Sequence, residues 1–177
     1  WAWIRLAEHR LSQRDLEAAL ACFQTALRCS SPSETARCLR GLAETYHKQS
    51  KYIAALKVFQ KLLVLIPTDP FARFSLSLIH HTLGSHADAL SHISATLSLL
   101  QSQSPTSSAS SSYAYVQYYH AKILLSLALE RRRNGLHLSS EELLQQALAL
   151  AETHRLPKSP SFALLLGDLY RHLGNHQ

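Results

Sequence analysis

Methionine is missing from this chain, glycine occurs only five times and proline six, and neither sign of charge forms a long block. With so few breakers, long irregular stretches are not expected. No apolar run approaches the ~18 residues expected of a membrane span, and no signal-peptide pattern opens the chain. Cysteine is limited to Cys22, Cys29 and Cys38, an odd set without metal-type spacing. Cys22 and Cys29 fall seven apart on one predicted helix, about 10 Å along its axis and too far for a disulfide. Reduced thiols in a cytoplasmic, or also nuclear, protein are therefore the expectation. A Gly-rich phosphate loop, a nucleophile elbow and a pair of carboxylates at a common site are all lacking, so no catalytic residue and no cofactor is called for. Glu141 and Glu142 are adjacent and face apart, as charges near a helix N-terminus do. A chain that starts on Trp1 and stops after a lone helix reads as an interior slice of a larger protein.

What is present suits a chain with a sizeable core: 46% apolar residues and 17% charged. The net charge of +6 raises nucleic acid or an acidic protein as partner. Twelve acids interspersed among eighteen lysines and arginines break any continuous phosphate track, which favours the protein partner. Arg131-Arg132-Arg133 is the one basic run. At the end of a long predicted helix it complements the negative pole of the helix dipole, with a phosphate or acidic-segment contact as the functional alternative.

The strongest positive signal is a small residue followed four positions later by a large one, repeated along the chain. Ala19 precedes Phe23, Ala55 precedes Phe59 and Ala89 precedes Ile93, in steps of 36 and 34 residues. The small residue admits a neighbouring helix and the large one fills the gap one turn on. That period is the period of tetratricopeptide repeats, antiparallel helix pairs that stack into an α-α superhelix because one pair cannot bury its apolar face alone. The fold class expected is all-α, with five pairs or part-pairs in a right-handed array and no strand.

Along the chain, residues 1–100 divide into three repeats. Trp3, Leu6 and Ala7 begin the first, and Ser31-Pro32 with Glu34 reads as a capping box opening the second. Leu42, Ala43 and Tyr46, then Tyr52, Ala55 and Phe59, carry the second; Asp69-Pro70 caps the third, which turns at Gly84. Residues 101–112 form a Ser-rich loop and a candidate phosphorylation segment. Residues 113–158 form an elongated fourth repeat, with a helix ended by Asn134-Gly135 and a capping box at Ser139 and Glu142. Ala147 there corresponds to Ala26, Leu62 and Thr96, the last step being 51 residues. Residues 159–177 supply the first helix of a fifth repeat, capped by Ser159-Pro160 and carrying Leu166, Gly167 and Tyr170.

Eleven histidines invite a metal reading, but His80, His81, His86 and His92 lack the i, i+4 spacing that a helical zinc motif needs, so packing or solvated rings are expected and no metal. In the repeat family the first helix of each pair lines the concave face. By that correspondence the partner-binding residues are Arg37, Arg40, Glu44, His47 and Lys48 from repeat two, with Phe71, Phe74, Leu78 and His81 from repeat three. A basic patch beside an aromatic one fits an extended acidic-and-apolar peptide. Reversing the charge of Arg37 and Arg40 is then expected to weaken partner capture and leave the melt unchanged. Ile4 and Glu8 stand on the first repeat's inner face where chaperone-clamping members carry Lys and Asn, so that role is not expected.

Trp3-Ile4-Arg5-Leu6, Ala26-Leu27-Arg28, Gly41-Leu42-Ala43-Glu44-Thr45-Tyr46 and Tyr52-x2-Ala55-Leu56-Lys57-x-Phe59 resemble segments of the large tetratricopeptide scaffold subunits of superkiller complexes. The elongated helix ending near Gly135-Leu136 and the start Leu165-Leu166-Gly167-Asp168 come after them in the same order. The resemblance implies a non-catalytic cytoplasmic scaffold that joins an RNA helicase to a WD-repeat propeller and so feeds messenger RNA to the exosome for decay from the 3′ end. RNA contact would be weak or indirect. Another repeat adaptor of a multisubunit complex, or a direct RNA-binding helical repeat, is the alternative.

Overall fold

Apolar residues recur three and four apart along nearly the whole chain, and the computed structural model is helical wherever they do. It describes residues 2–103, 111–153 and 160–174. Nine helices run through them: α1 (Ala2–Ser12), α2 (Leu16–Cys29), α3 (Pro32–Lys48), α4 (Tyr52–Leu65), α5 (Pro70–Thr82), α6 (His86–Gln103), α7 (Ser111–Arg133), α8 (His137–Thr153) and α9 (Pro160–Gly174). Among the described residues there is no strand and no helix long and apolar enough to cross a membrane. Most of the Ser-rich segment, Pro105 and Ala109 included, and the cap at Ser159 lie outside the described residues. The helices reach further into that segment than the sequence reading placed them: α6 runs on to Gln103 and α7 takes in Ser111 and Ser112.

The chain divides into two compact units, Trp1–Ile79 and His80–Gln177. In the first, Ile4, Ala7 and Leu11 of α1 close over Ala19, Cys22, Phe23 and Ala26 of α2, with Cys38 and Leu42 of α3 completing the cluster. A second cluster joins Leu39 and Ala43 to Ala55, Phe59 and Leu62, and to Ala72, Leu76 and Ile79. The other unit is built on α7 and α8, with Leu165 and Leu169 of α9 packed against them. Ala19, Ala55 and Ala89 are completely buried, and Phe23, Phe59 and Ile93 nearly or completely so. Thus the small-then-large ladder is buried in every repeat, and its large residues reach the following pair: Phe23 of α2 lies against Gly41 of α3, and Phe59 of α4 against Phe71 of α5. Cys22 and Cys38 are buried free thiols, and Cys29 is an exposed one.

Four turns share one hydrogen-bond pattern. Arg14, Ser50, Gly84 and Gly135 each adopt positive φ. Each N–H donates to the carbonyl three residues back: Leu11, His47, His81 and Arg132. The next N–H reaches five back, to Arg10, Tyr46, His80 and Arg131. This is the left-handed stop that satisfies the last carbonyls of a helix. Only two of the four positions are glycine, so the turns at Arg14 and Ser50 carry no composition signal.

The same register places Ser140 where Ala19, Ala55 and Ala89 stand, since each of these N–H groups donates to the residue that opens its helix: Asp15, Lys51, Ser85 or Leu136. Leu144, completely buried, takes the place of Phe23, Phe59 and Ile93. The ladder therefore continues into the elongated repeat with serine for alanine. The expected capping box at Ser139 does not form: α8 begins at His137, and the Ser139 hydroxyl accepts a 2.5 Å hydrogen bond from Arg131. At Ser31 the capping box is present. The Glu34 carboxylate accepts from the Ser31 amide at 3.4 Å and from its hydroxyl at 3.2 Å, and these bonds hold its pKa below the usual glutamate value.

Candidate functional site

Helix α3 sets out Arg37, Arg40, Glu44, His47 and Lys48 at three- and four-residue intervals, which is one stripe of a helix. The core takes the opposite face, through Cys38, Leu39, Leu42 and Ala43. What the stripe presents is not a bare basic patch. Arg37 grips Glu8 of α1 with both ends of its guanidinium, Nε to Oε1 and Nη2 to Oε2, each at 2.7 Å. Arg40 donates to Asp69 Oδ2 at 2.5 Å, and its guanidinium lies 5.2 Å from the centroid of the Phe71 ring. Lys48 pairs with Glu44 one turn back at 2.9 Å. Arg37, Arg40 and Lys48 each have a carboxylate, so the surface is a lattice of matched charges.

Asp69 ties this lattice to the fold. Its side chain is only 3% exposed, and its Oδ1 accepts from the N–H groups of Phe71 and Ala72 at the start of α5. The carboxylate thus caps a helix with one oxygen and anchors Arg40 with the other. Because Arg40 compensates a buried charge, reversing it removes that compensation, and reversing Arg37 sets a carboxylate against Glu8, so a melt left unchanged by both reversals is no longer the expectation, least of all at Arg40. Between these groups lies a groove of about 410 Å³ lined by Glu8, Ala36, Arg37, Arg40 and Ile66. Arg37 and Arg40 stand one turn apart on its wall, and Ile66 adds an apolar contribution, 37% exposed.

The remaining expected residues separate. His47 is half-buried and its ring meets Tyr52 at 5.8 Å between centroids, tilted by 57°; burial pushes its pKa down. Phe71 is exposed and packs edge-on against Phe59 at 6.2 Å. Phe74 and Leu78 are half-buried on α5. His81 belongs to the other unit, where it contacts His86. Ile4 is a correction: at 2% exposure it is core, not inner face, while Trp3 and Leu6 of the same helix are 47% and 38% exposed.

Two features that sequence reasoning passes over shape this face. In sequence, Glu8 stands only as a departure from the chaperone clamp, yet it positions Arg37 across 29 residues of sequence. Asp69 reads there only as a cap. Neither long-range role leaves a local signal. The Arg131–Arg133 run is also engaged: Arg131 with Ser139, Arg132 with the His172 carbonyl at 3.4 Å, and Arg133 with the Leu129 carbonyl at 3.4 Å. Among the described residues no group of three or more potential ligands could hold a metal ion.

Family models described as tetratricopeptide repeat match residues 1–63 and 125–177, together more than half of the chain. Among curated proteins the chain is similar to Superkiller protein 3 of Schizosaccharomyces pombe, with 27% identity over 141 residues. The aligned part is 78% of this chain and 10% of the relative, so the chain spans about a tenth of the length of that protein. Among solved structures, the nearly identical TPR-like repeats of a putative kinesin light chain from Podosopora anserina superpose with a TM-score of 0.70 at 16% identity, over 99% of this chain and 87% of that one. MamA gives 0.66 at 15% identity, over 95% and 84%. The anaphase-promoting-complex hetero-tetramer Cut9-Hcn1 gives 0.58 at 16% identity, over 98% of this chain and 30% of that one. At such identities these structures speak for the fold alone. Helix pairs with a repeated small-then-large ladder, matched by two models of one family, make this chain a member of the tetratricopeptide repeat family.

Proposed function

We propose that the chain is a non-catalytic protein-interaction segment of a superkiller-type scaffold, acting in the cytoplasm to support exosome-linked decay of messenger RNA from the 3′ end. The observation that carries this reading is the 27% identity with Superkiller protein 3 across 78% of the chain. On this reading the partners are protein subunits, an RNA helicase and a WD-repeat propeller, with no cofactor. The groove on α3 takes an extended segment. Arg37 and Arg40 offer it the N–H groups not already given to Glu8 and Asp69, and Phe71 and Ile66 offer apolar contact. Phe74, Leu78, Glu44, His47 and Lys48 extend the same face, and His81 of the other unit is a separate candidate contact.

Purifying the full-length parent from cytosol tests this reading. Co-purification of a helicase and a propeller subunit, weakened by Arg37→Glu, supports it. Their absence beside a reproducible set of other subunits would move the chain to another adaptor, for which the fold shared with a Cut9-Hcn1 subunit is the reason to look.

A further inference from the structure

Three of the four turns that share one hydrogen-bond pattern also share a pair of side chains, one just before the turn and one just after. In the first turn the pair is Leu11 and Leu16, both packed in the core cluster. In the second it is His47 and Tyr52, ring against ring at 5.8 Å. In the third it is His81 and His86, at 5.1 Å and tilted by 49°, with Nδ1 facing Nδ1 at 3.2 Å. The slot is the same and the contact is kept, but tyrosine has become histidine. A pair with one titrating ring is thereby replaced by a pair with two.

That nitrogen-to-nitrogen contact imposes a rule on protons. At 3.2 Å one Nδ1 must carry hydrogen and the other a lone pair. A first extra proton can be taken at Nε2 of the donor ring, which leaves the shared N–H in place and strengthens it by charge. A second extra proton must go on the accepting Nδ1. Two N–H groups and two cations then face each other, so the contact cannot survive.

The charged groups around the pair do not offset this. Lys122 of α7 adds a third positive charge on the side of His81. Asp88 of α6 is engaged elsewhere: its carboxylate lies 3.9 Å from His80 Nδ1, and His80 stacks on His92 at 5.3 Å. Burial first, then His86 and Lys122, bring His81 down to about 4. The turn itself is held by the Gly84 amide on the His81 carbonyl and the Ser85 amide on the His80 carbonyl, so the two histidines are coupled to the backbone bonds that close it.

We propose that the His81–His86 contact is an acid-sensitive latch on the turn Thr82–Ser85: it holds while the pair carries at most one extra proton and releases when the pair takes the second. The turn at Ser50, with His47 and Tyr52 in the same slot, has one imidazole whose burial alone opposes protonation and no second one facing it, so it is the internal reference.

Hydrogen exchange in the full chain, corrected for intrinsic rates, compares peptides covering the two turns from about pH 7 to about pH 4.5. Protection around residues 80–90 should fall at least about tenfold more than around residues 46–56, and return on neutralisation. The variant His86→Tyr, which installs the second turn's own pair, should remove the difference, as should His86→Leu, which imitates the first. Equal acid sensitivity in wild type and both variants, or no loss in wild type, overturns the latch. Nitrogen-detected spectra at neutral pH give a test that needs no variant: the two rings must show opposite Nδ1 states. Two bare Nδ1 atoms would sink the proposal.

Discussion

Gly41 sits in the interior of α3, where alanine would be favoured by about 1 kcal/mol on helix propensity alone. A Cβ there would lie 2.1 Å from Cζ of Phe23, whose ring is completely buried and has no room to withdraw. The close approach of α2 to α3 thus rests on a missing methyl. Gly41→Ala should lower stability by about 1–2 kcal/mol in a denaturant melt, and Phe23→Leu in the same background should be less than additive. Ser140 presents the opposite case. It occupies the alanine position of the ladder, 1% exposed, with a hydroxyl that finds no partner among the described residues. Ser140→Ala should therefore stabilise by about 1 kcal/mol, and a lower melting temperature would mean that the hydroxyl is satisfied in solution. The arginines of the groove divide in the same way. Arg37→Ala breaks a pair in which both partners are well exposed and should cost only about 0.2–1 kcal/mol. Arg40→Ala uncovers the buried Asp69 and should cost about 1–3 kcal/mol.

At the scale of elements, helices and their partners were legible because the apolar period is local. Ala19, Ala55 and Ala89 are each near a large residue one turn on, and all three are fully buried. The turns were legible only at Gly84 and Gly135; Arg14 and Ser50 reach positive φ through the flanking helices' hydrogen bonds, which composition does not reveal. The candidate face was legible as a stripe, since spacing fixes which residues share a helix face. Its charge was not, because Glu8 and Asp69 each lie 29 residues from the arginine they hold. The helices that bury histidines also set an acid response. His81 and His120 are held below the ordinary histidine range, in both cases chiefly by burial. With the folded values lowered, the unfolded chain binds more protons once pH drops below about 6.5, so stability is full above that pH and is lost as pH falls toward about 4. A series of melts across this window should show a falling midpoint; a flat series would mean the rings are solvated.

For the molecule as a whole, the net charge of +6 is the feature most easily misread. The groove arginines hold Glu8 and Asp69, the Arg131–Arg133 run keeps its charge but is short, and twelve acids are interspersed among the eighteen lysines and arginines. Single-stranded RNA should accordingly bind this chain weakly and fade between about 50 and 200 mM salt, as non-specific phosphate contacts do. Filter binding at near-physiological salt decides it: sub-micromolar affinity, abolished by neutralising Arg131–Arg133, would favour the RNA-binding alternative.

The matched turns carry a consequence for descent. From Ala89 to Ser140 the chain spends 51 residues where its earlier repeats spend 36 and 34, yet the bonds at Gly135 and Ser140 repeat those at Gly84 and Ala89 atom for atom. All of the surplus is therefore absorbed before the turn, in α6, α7 and the segment joining them. A change of length between those two helices, rather than inside either, would leave the phase of α8 untouched. Kindred sequences are then expected to differ in length here while keeping the ladder on either side, much as a spacer in a printed line can stretch without altering the words.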